Sequence, residues 1–301
     1  MKRSRNKMEL RTLYYFFMVA REENITRAAK RLHLGQPALS RQLMQLEQTV
    51  GKQLLIRGKR KIELTEAGVL LKRRAEEIID LIEKTEKELI SDNDNLTGEI
   101  MLGMAECLYT HLFLPDIIKK FSNKYPEVTY DFYTGNADLI KEKLDQGIID
   151  VGILLEPVDL ERYEYIRLPQ KERWGIVVSK DNHLANKASV TAKDLINIPL
   201  LNTKRSLVQN EIASWFKSDY EKLHFIATYN FLSNIIPLIT QGIGSAITIE
   251  GAFYNQCHDK IKFIPFYPEL LTGTVFVWKK HQTLSPLITK FIDEVYHAIN
   301  E

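Results

Sequence analysis

The stretch Asn24-Ile25-Thr26-Arg27-Ala28-Ala29-Lys30-Arg31-Leu32-His33-Leu34-Gly35-Gln36-Pro37-Ala38-Leu39-Ser40-Arg41-Gln42-Leu43 decides the fold of the amino-terminal part. Asn24 opens a helix well, because its side-chain oxygen accepts from a first-turn backbone N–H. From Ile25 to about His33 the helical period turns Ala28, Ala29 and Leu32 inward, and the small residues let another helix approach closely. Gly35 is expected to end this helix. Pro37 suits the first turn of the next, where its missing N–H is not needed, and Leu39, Leu43, Leu46 and Val50 give an inner face up to Gly51. Two helices joined by a tight glycine-containing turn are helix-turn-helix grammar.

Working outward, Leu10, Leu13, Phe16, Phe17 and Ala20 predict a preceding helix ending near Glu23. Residues 54–64 read as a β-hairpin wing, two short apolar strands around a basic turn at Gly58. Thr65 then caps a long helix on which Leu64, Gly68, Leu71, Ala75, Ile78, Ile82, Thr85 and Leu89 step by four and three, the period of a coiled-coil seam. Leu71, Ala75, Ile78, Ile82 and Leu89 are the candidate dimer contacts; packing on the following domain is the single-chain alternative. Polar Ser91-Asp92-Asn93-Asp94-Asn95 marks a linker. Beyond it strands such as 100–103, 128–133, 151–155 and 176–178 alternate with helical stretches at 114–125 and 137–146, the pattern of an α/β domain with a mainly parallel sheet.

The net charge of +2 over 301 residues hides a division. Residues 1–74 hold 18 Lys and Arg against 6 Glu, whereas the rest hold 23 against 33 Asp and Glu. A basic front on an acidic remainder predicts a polyanionic partner for the front, nucleic acid first. No run of apolar residues is long enough for a membrane span and no signal core is visible, so a cytoplasmic chain is expected. Cys107 and Cys257 form neither a disulfide framework nor a zinc knuckle, and the seven histidines show no ligand spacing, so no metal and no cofactor are expected. An enzyme finds no motif: a metal-binding His-Glu-x-x-His, a Walker loop and a Gly-x-Ser-x-Gly elbow are all missing, and Ile247 stands where a dinucleotide motif beginning at Gly242 needs its third glycine. A ligand-blind DNA binder would not need some 200 residues of α/β sheet.

Phe17, Ala28-Ala29, Leu32, Gln36 to Leu43, Leu46-Glu47, Gly51, Leu54, Arg57, Leu64-Thr65 and Ala67-Gly68 together resemble the DNA-binding segment of LysR-type transcriptional regulators. Leu114-Pro115, Phe121, Tyr125-Pro126, Leu144, Gly147, Asp150 to Ile153 and Gln241 to Gly244 resemble that family's regulatory domain, so the likeness spans nearly the whole chain. Leu55, Asn24 and Gly35 depart from its usual Phe, Ser and Ser-like residues. The resemblance implies a winged helix-turn-helix at 1–64, a dimerising linker helix at 65–91, and an α/β regulatory part of two subdomains like a type 2 periplasmic binding protein. Subdomain one would take 98–168 and 273–301, subdomain two 169–272. It further implies a small-molecule effector between the subdomains and dimers that pair into tetramers on promoter DNA, with RNA polymerase as a further partner.

In a helix-turn-helix the start of the second helix meets base edges, which makes Gln36, Pro37, Ser40 and Arg41 the candidate readers. Arg27, Lys30 and Arg31 would meet phosphates, and Arg57, Lys59, Arg60 and Lys61 of the wing the adjacent backbone or minor groove. Ligands of open α/β sheets sit beyond strand ends near helix starts. That places Glu106, Leu108, Thr110, Thr134 and Asn136 on one side of a cleft and Lys204, Arg205, Ser206 and Phe231 on the other. The two cations favour an anionic effector; Glu106 leaves open an amine or a pairing with Arg205.

Overall fold

This computed structural model describes residues 8–58, 61–90, 96–256 and 259–300, and the side chains of all these except 57, 83, 84 and 86–90. The chain divides into two compact units, Met1–Ile90 and Ser91–Glu301.

In the first unit, α1 (Leu10–Glu22), α2 (Ile25–Arg31) and α3 (Gln36–Val50) enclose a core of Phe16, Val19, Ala28, Ala29, Leu39, Leu43 and Leu46. Asn24 opens α2 by accepting from the Arg27 N–H at 3.0 Å, and Gly51 closes α3 at φ 72°. The turn between α2 and α3 differs from expectation. Gly35 sits in extended backbone as the residue before α3, and the left-handed residue is His33 at φ 53°. The His33 and Leu34 N–H groups return to Lys30 O and Ala29 O, the paired closure of a Schellman end, with Leu34 packed on the core. His33→Gly should therefore raise the unfolding free energy by about 0.5–1 kcal/mol, the relief of a left-handed L-residue less glycine's extra chain entropy. A denaturant midpoint of the first unit's transition checks this.

Strands β1 (Leu55–Arg57) and β2 (Ile62–Leu64) form the wing, with Leu55 opposite Leu64. Glu47 of α3 ties the wing's base to the reading helix, its Oε1 accepting from the N–H groups of Leu54 (2.8 Å) and Leu55 (3.0 Å). The long helix α4 (Glu66–Ile90) begins at Thr65, whose hydroxyl accepts from the Gly68 N–H. Gly68 lies so close to the wing that a Cβ there would stand 2.1 Å from Leu54 O.

The second unit is built on one continuous sheet shared by two subdomains. In subdomain one, β3 (Gly98–Met104) pairs in parallel with β4 (Val128–Thr134) and β5 (Val151–Leu155). Helices α5 (Leu108–Leu112), α6 (Leu114–Lys124) and α7 (Ala137–Asp145) connect these strands. A long strand, β6 (Tyr163–Ser179), runs out of this subdomain. In subdomain two, β7 (Pro199–Thr203) pairs in parallel with β8 (His224–Tyr229) and β9 (Ser245–Ile249), and β9 and β10 (Ile261–Pro265) flank the second half of β6. Helices α8 (Ser206–Phe216), α9 (Ile236–Thr240) and α10 (Glu250–Tyr254) belong here. The chain returns by β11 (Leu271–Lys279), antiparallel to β5 and to the first half of β6, and ends in α11 (Pro286–Asn300).

Along β6 the partner changes between Arg173 and Trp174, five residues beyond the expected 168/169 break. The return crosses between Pro265 and Leu271, just before the expected 272/273 break. Trp174 joins the crossings, donating to Leu270 O and accepting from the Phe266 N–H. Beside it Glu172, fully buried, accepts from the Leu108 N–H (2.6 Å) of α5 and the Gly251 N–H (2.9 Å) of α10, one bond to each subdomain. Burial pushes its carboxyl above the usual range although both N–H groups pull the other way. On the sheet's opposite side α7 descends onto Gly103 and Gly152, neighbours in register, where a Cβ would meet Ile140 Cγ2 at 2.6 and 2.9 Å. Side-chain-free backbone there seats α7 with its first turn at the end of β4 and β5.

Candidate DNA-reading face and effector cavity

The outward face of α3 carries Gln36, Pro37, Arg41, Met44, Gln45 and Gln48, all exposed. Of the expected readers, Ser40 is placed otherwise. It is 9% exposed and its hydroxyl accepts from Gln36 Nε2 at 3.2 Å, so it orients Gln36 from one turn below. Met44, Gln45 and Gln48 continue the face that Pro37 and Arg41 begin, a continuation the helical period from position 37 already contains.

Among the basic residues of α2, Arg27 Nη2 donates to Glu22 O (2.6 Å) and Arg31 Nη1 stands 3.1 Å from Glu22 Oε1. Glu22, at the end of α1, thus holds two exposed guanidinium groups, from the first and the last turn of α2, while Lys30 is exposed on the same helix. In the wing, Lys61 pairs with Glu23 at 2.8 Å. Lys59 and Arg60, and the side chain of Arg57, lie outside the described residues.

Along α4, Leu71 packs on the core of the first unit, Ala75 is fully buried, and Ile78 and Ile82 are half-buried. The Leu89 side chain lies outside the described set. Leu70 and Leu81, about 55% and 47% exposed, flank the stripe.

Between the subdomains of the second unit lies a cavity of about 110 Å³. Four expected residues line it: Glu106 after β3, Asn136 capping α7, Arg205 before α8, and Phe231. The other five do not. Thr203 and Arg205 face the cavity from an extended segment, and alternation turns Lys204 outward to solvent. Ser206 and Thr134 are likewise exposed away from the cavity. Leu108 is buried with its N–H committed to Glu172, and the Thr110 hydroxyl donates back to Ala105 O and Cys107 O at the start of α5. Further wall comes from residues the strand-end reasoning did not single out, among them Leu155, Glu156, Trp174, Val208, Tyr229 and Ile247.

Arg205 bridges the two subdomains. Its Nε donates to Asp138 Oδ2 (3.1 Å) and its Nη2 to Pro157 O (2.9 Å). The Arg205 side chain is 8% exposed and that of Asp138 60%. The pairing of Arg205 with Glu106 that the sequence allowed is not the one formed. Burial pushes the Glu106 carboxyl up, and no cation among the described residues offsets this. Tyr229 on the opposite wall donates its hydroxyl to Ile247 O at 2.7 Å; burial, and the nearby charge of Glu106, push the phenol up.

The Cys107 thiol is fully buried and burial pushes it up to about 11, so it stays protonated and unreactive. Cys257 lies outside the described residues. Among those described, no group of His, Cys, Asp and Glu is placed to hold a metal ion, and no helix is long and apolar enough to cross a membrane.

Comparison with known proteins fits both units. The family model described as "Bacterial regulatory helix-turn-helix protein, lysR family" matches residues 10–69, and that described as "LysR substrate binding domain" matches residues 93–299. The Hca operon transcriptional activator HcaR of Escherichia coli strain K12 is 28% identical over 95% of this chain and 96% of its own length. The uncharacterized HTH-type transcriptional regulator YvbU of Bacillus subtilis strain 168 is 30% identical over 81% of this chain and 82% of its own. The crystal structure of full-length CbnR complexed with target DNA has the same fold, with a TM-score of 0.76 at 23% identity over 97% of this chain and 100% of that one. A basic helix-turn-helix unit, a two-subdomain α/β unit enclosing a cavity, and both family models agree: the chain belongs to the LysR family, as a DNA-binding transcriptional regulator with an effector-binding domain and not an enzyme.

Proposed function

We propose that the chain reads promoter DNA in a sequence-specific manner through the exposed face of α3, and that a small molecule held between the two subdomains of the second unit controls this binding. The observation that carries the reading is the cavity walled from both subdomains, with Arg205 reaching across it. A ligand there favours one relative orientation of the subdomains only by its differential affinity for it. The unit at work is a dimer joined along α4 through Ile78, Ile82 and Leu89, and two dimers make a tetramer; Leu71 and Ala75 of the same stripe are taken up within their own chain. Such a regulator works on the chromosome, in the cytoplasm. Because HcaR is named an operon activator, contact with RNA polymerase belongs to the same proposal. An anionic effector would have to draw Arg205 from Asp138 and Pro157 O, with neither Lys204 nor Ser206 at the cavity to help, so the charge pattern weighs against it.

The test begins by selecting bound sequences from genomic fragments, which should yield inverted half-sites. Arg41→Ala is then expected to cost about 1–3 kcal/mol on the selected site and to relax preference at one position. Lys30→Ala should weaken all sequences alike and lower the salt slope by ~1. Equal losses on selected and random DNA for Arg41→Ala would remove Arg41 from the readers.

A further inference from the structure

The cavity's charges are unevenly settled. Arg205, the cation on its wall, already serves Asp138 and Pro157 O. Glu156, one of its acids, has the Arg167 guanidinium at 3.5 Å. Glu106 has no cation facing it among the described residues, and burial raises its carboxyl. The opposite wall offers Tyr229, whose proton is already given to Ile247 O. Trp174, 6% exposed, also lines the cavity, its indole N–H without an acceptor among the described residues; an ammonium, which only donates, would leave that N–H as it is and meet the ring by its face. The rest of the wall mixes apolar Leu155, Phe231 and Leu232 with polar Asn136, Thr203, Asn230 and Thr248, and about 110 Å³ is less than the ~150 Å³ cavity that takes a benzene ring, so the part of a ligand that it encloses is smaller than that ring.

Resting on the reading of this cavity as the effector site, we propose that the effector is a compact primary amine. Its ammonium sits against the Glu106 carboxylate and its apolar body, a short branched chain smaller than a benzene ring, lies among Leu155, Trp174 and Phe231. A ligand cation supplies what the cavity lacks, a charge that stabilises ionised Glu106. It also gains from the indole face of Trp174. An anion would meet Glu106 as a like charge while Arg205, the one cation among the described wall residues, stays engaged.

Thermal unfolding of the full chain with 2-methylpropylamine, 3-methylbutylamine and 3-methylbutanoate separates the cases. The amines are expected to raise the midpoint by a few degrees and 3-methylbutanoate to leave it unchanged. Glu106→Gln, which keeps the shape and removes the charge, should weaken amine binding by about tenfold or more. Glu106→Asp, which keeps the charge one methylene farther back, should retain part of the affinity, so that a loss in both variants with an altered ligand-free midpoint points to damaged folding and overturns the charge assignment. Amines that stabilise wild type and Glu106→Gln equally would also overturn it. If 3-methylbutanoate stabilises instead, and Arg205→Met abolishes that, the effector cavity stands and the amine falls. If none of the three compounds moves the midpoint, the amine and the reading of the cavity fall together.

Discussion

Glu172→Ala is expected to lower the unfolding free energy of the second unit by about 3–5 kcal/mol. Two buried N–H groups, those of Leu108 and Gly251, lose their acceptor at ~1–3 kcal/mol each, and the missing side chain leaves a void. No neighbour can close in, because α5 and α10 already touch backbone to backbone: a Cβ on Gly251 would stand 2.3 Å from Leu108 N. The pH dependence follows from the raised pKa of Glu172. A carboxyl with its folded pKa above the unfolded value contributes most below the unfolded pKa, and the contribution falls as pH rises through the folded one. The advantage of wild type over the variant should therefore be largest in acid and shrink toward neutrality. All three tryptophans, Trp174, Trp215 and Trp278, lie in this unit, so intrinsic fluorescence in a urea titration at several pH values reads the effect directly. A difference that grows toward neutral pH would show that the two N–H bonds outweigh burial.

Placing Asp at both Ile78 and Ile82 is expected to break the dimer. In the proposed seam each aspartate would be buried without a partner against its counterpart on the facing helix, at a cost of several kcal/mol per ion. Sedimentation should show monomers, and affinity for a paired half-site should fall toward that of one reading helix. The first unit should stay folded, since its core is closed by Leu71 and the residues before it. An unchanged dimer would assign association to the second unit and leave the α4 stripe to packing within one chain.

The seam illustrates how far a sequence can be read. Its four-three spacing is visible without coordinates, but Gly68 and Leu71 serve the wing and the core of their own unit, which only the approach of α4 to Leu54 O makes plain. Helix limits at Asn24 and Gly51 are legible because cap chemistry is local. His33 is not, since its left-handed backbone is imposed by two return hydrogen bonds and by Leu34, half-buried against the core, and not by its own preference. In the cavity, Glu106, Asn136, Arg205 and Phe231 stand at strand ends, where the α/β pattern directs attention. Trp174, Tyr229 and Ile247 lie within strands, where that pattern does not direct attention, and the partner of Arg205 stands 67 positions away in the chain.

In the proposed regulator the Arg205–Asp138 pair would set the resting balance between two subdomain arrangements. An ion pair with one partner 60% exposed is worth about 1 kcal/mol at most, which is roughly a fivefold bias. Such a bias is small enough for a weak ligand to overturn and large enough to keep a promoter from idling midway. Because Asp138 lies largely in solvent, its identity can change without disturbing the core, and each change would retune the concentration of effector at which transcription responds. On that proposal the chain would carry its sensitivity setting in an exposed residue of α7, separate both from the residues proposed to recognise the effector and from those proposed to read DNA.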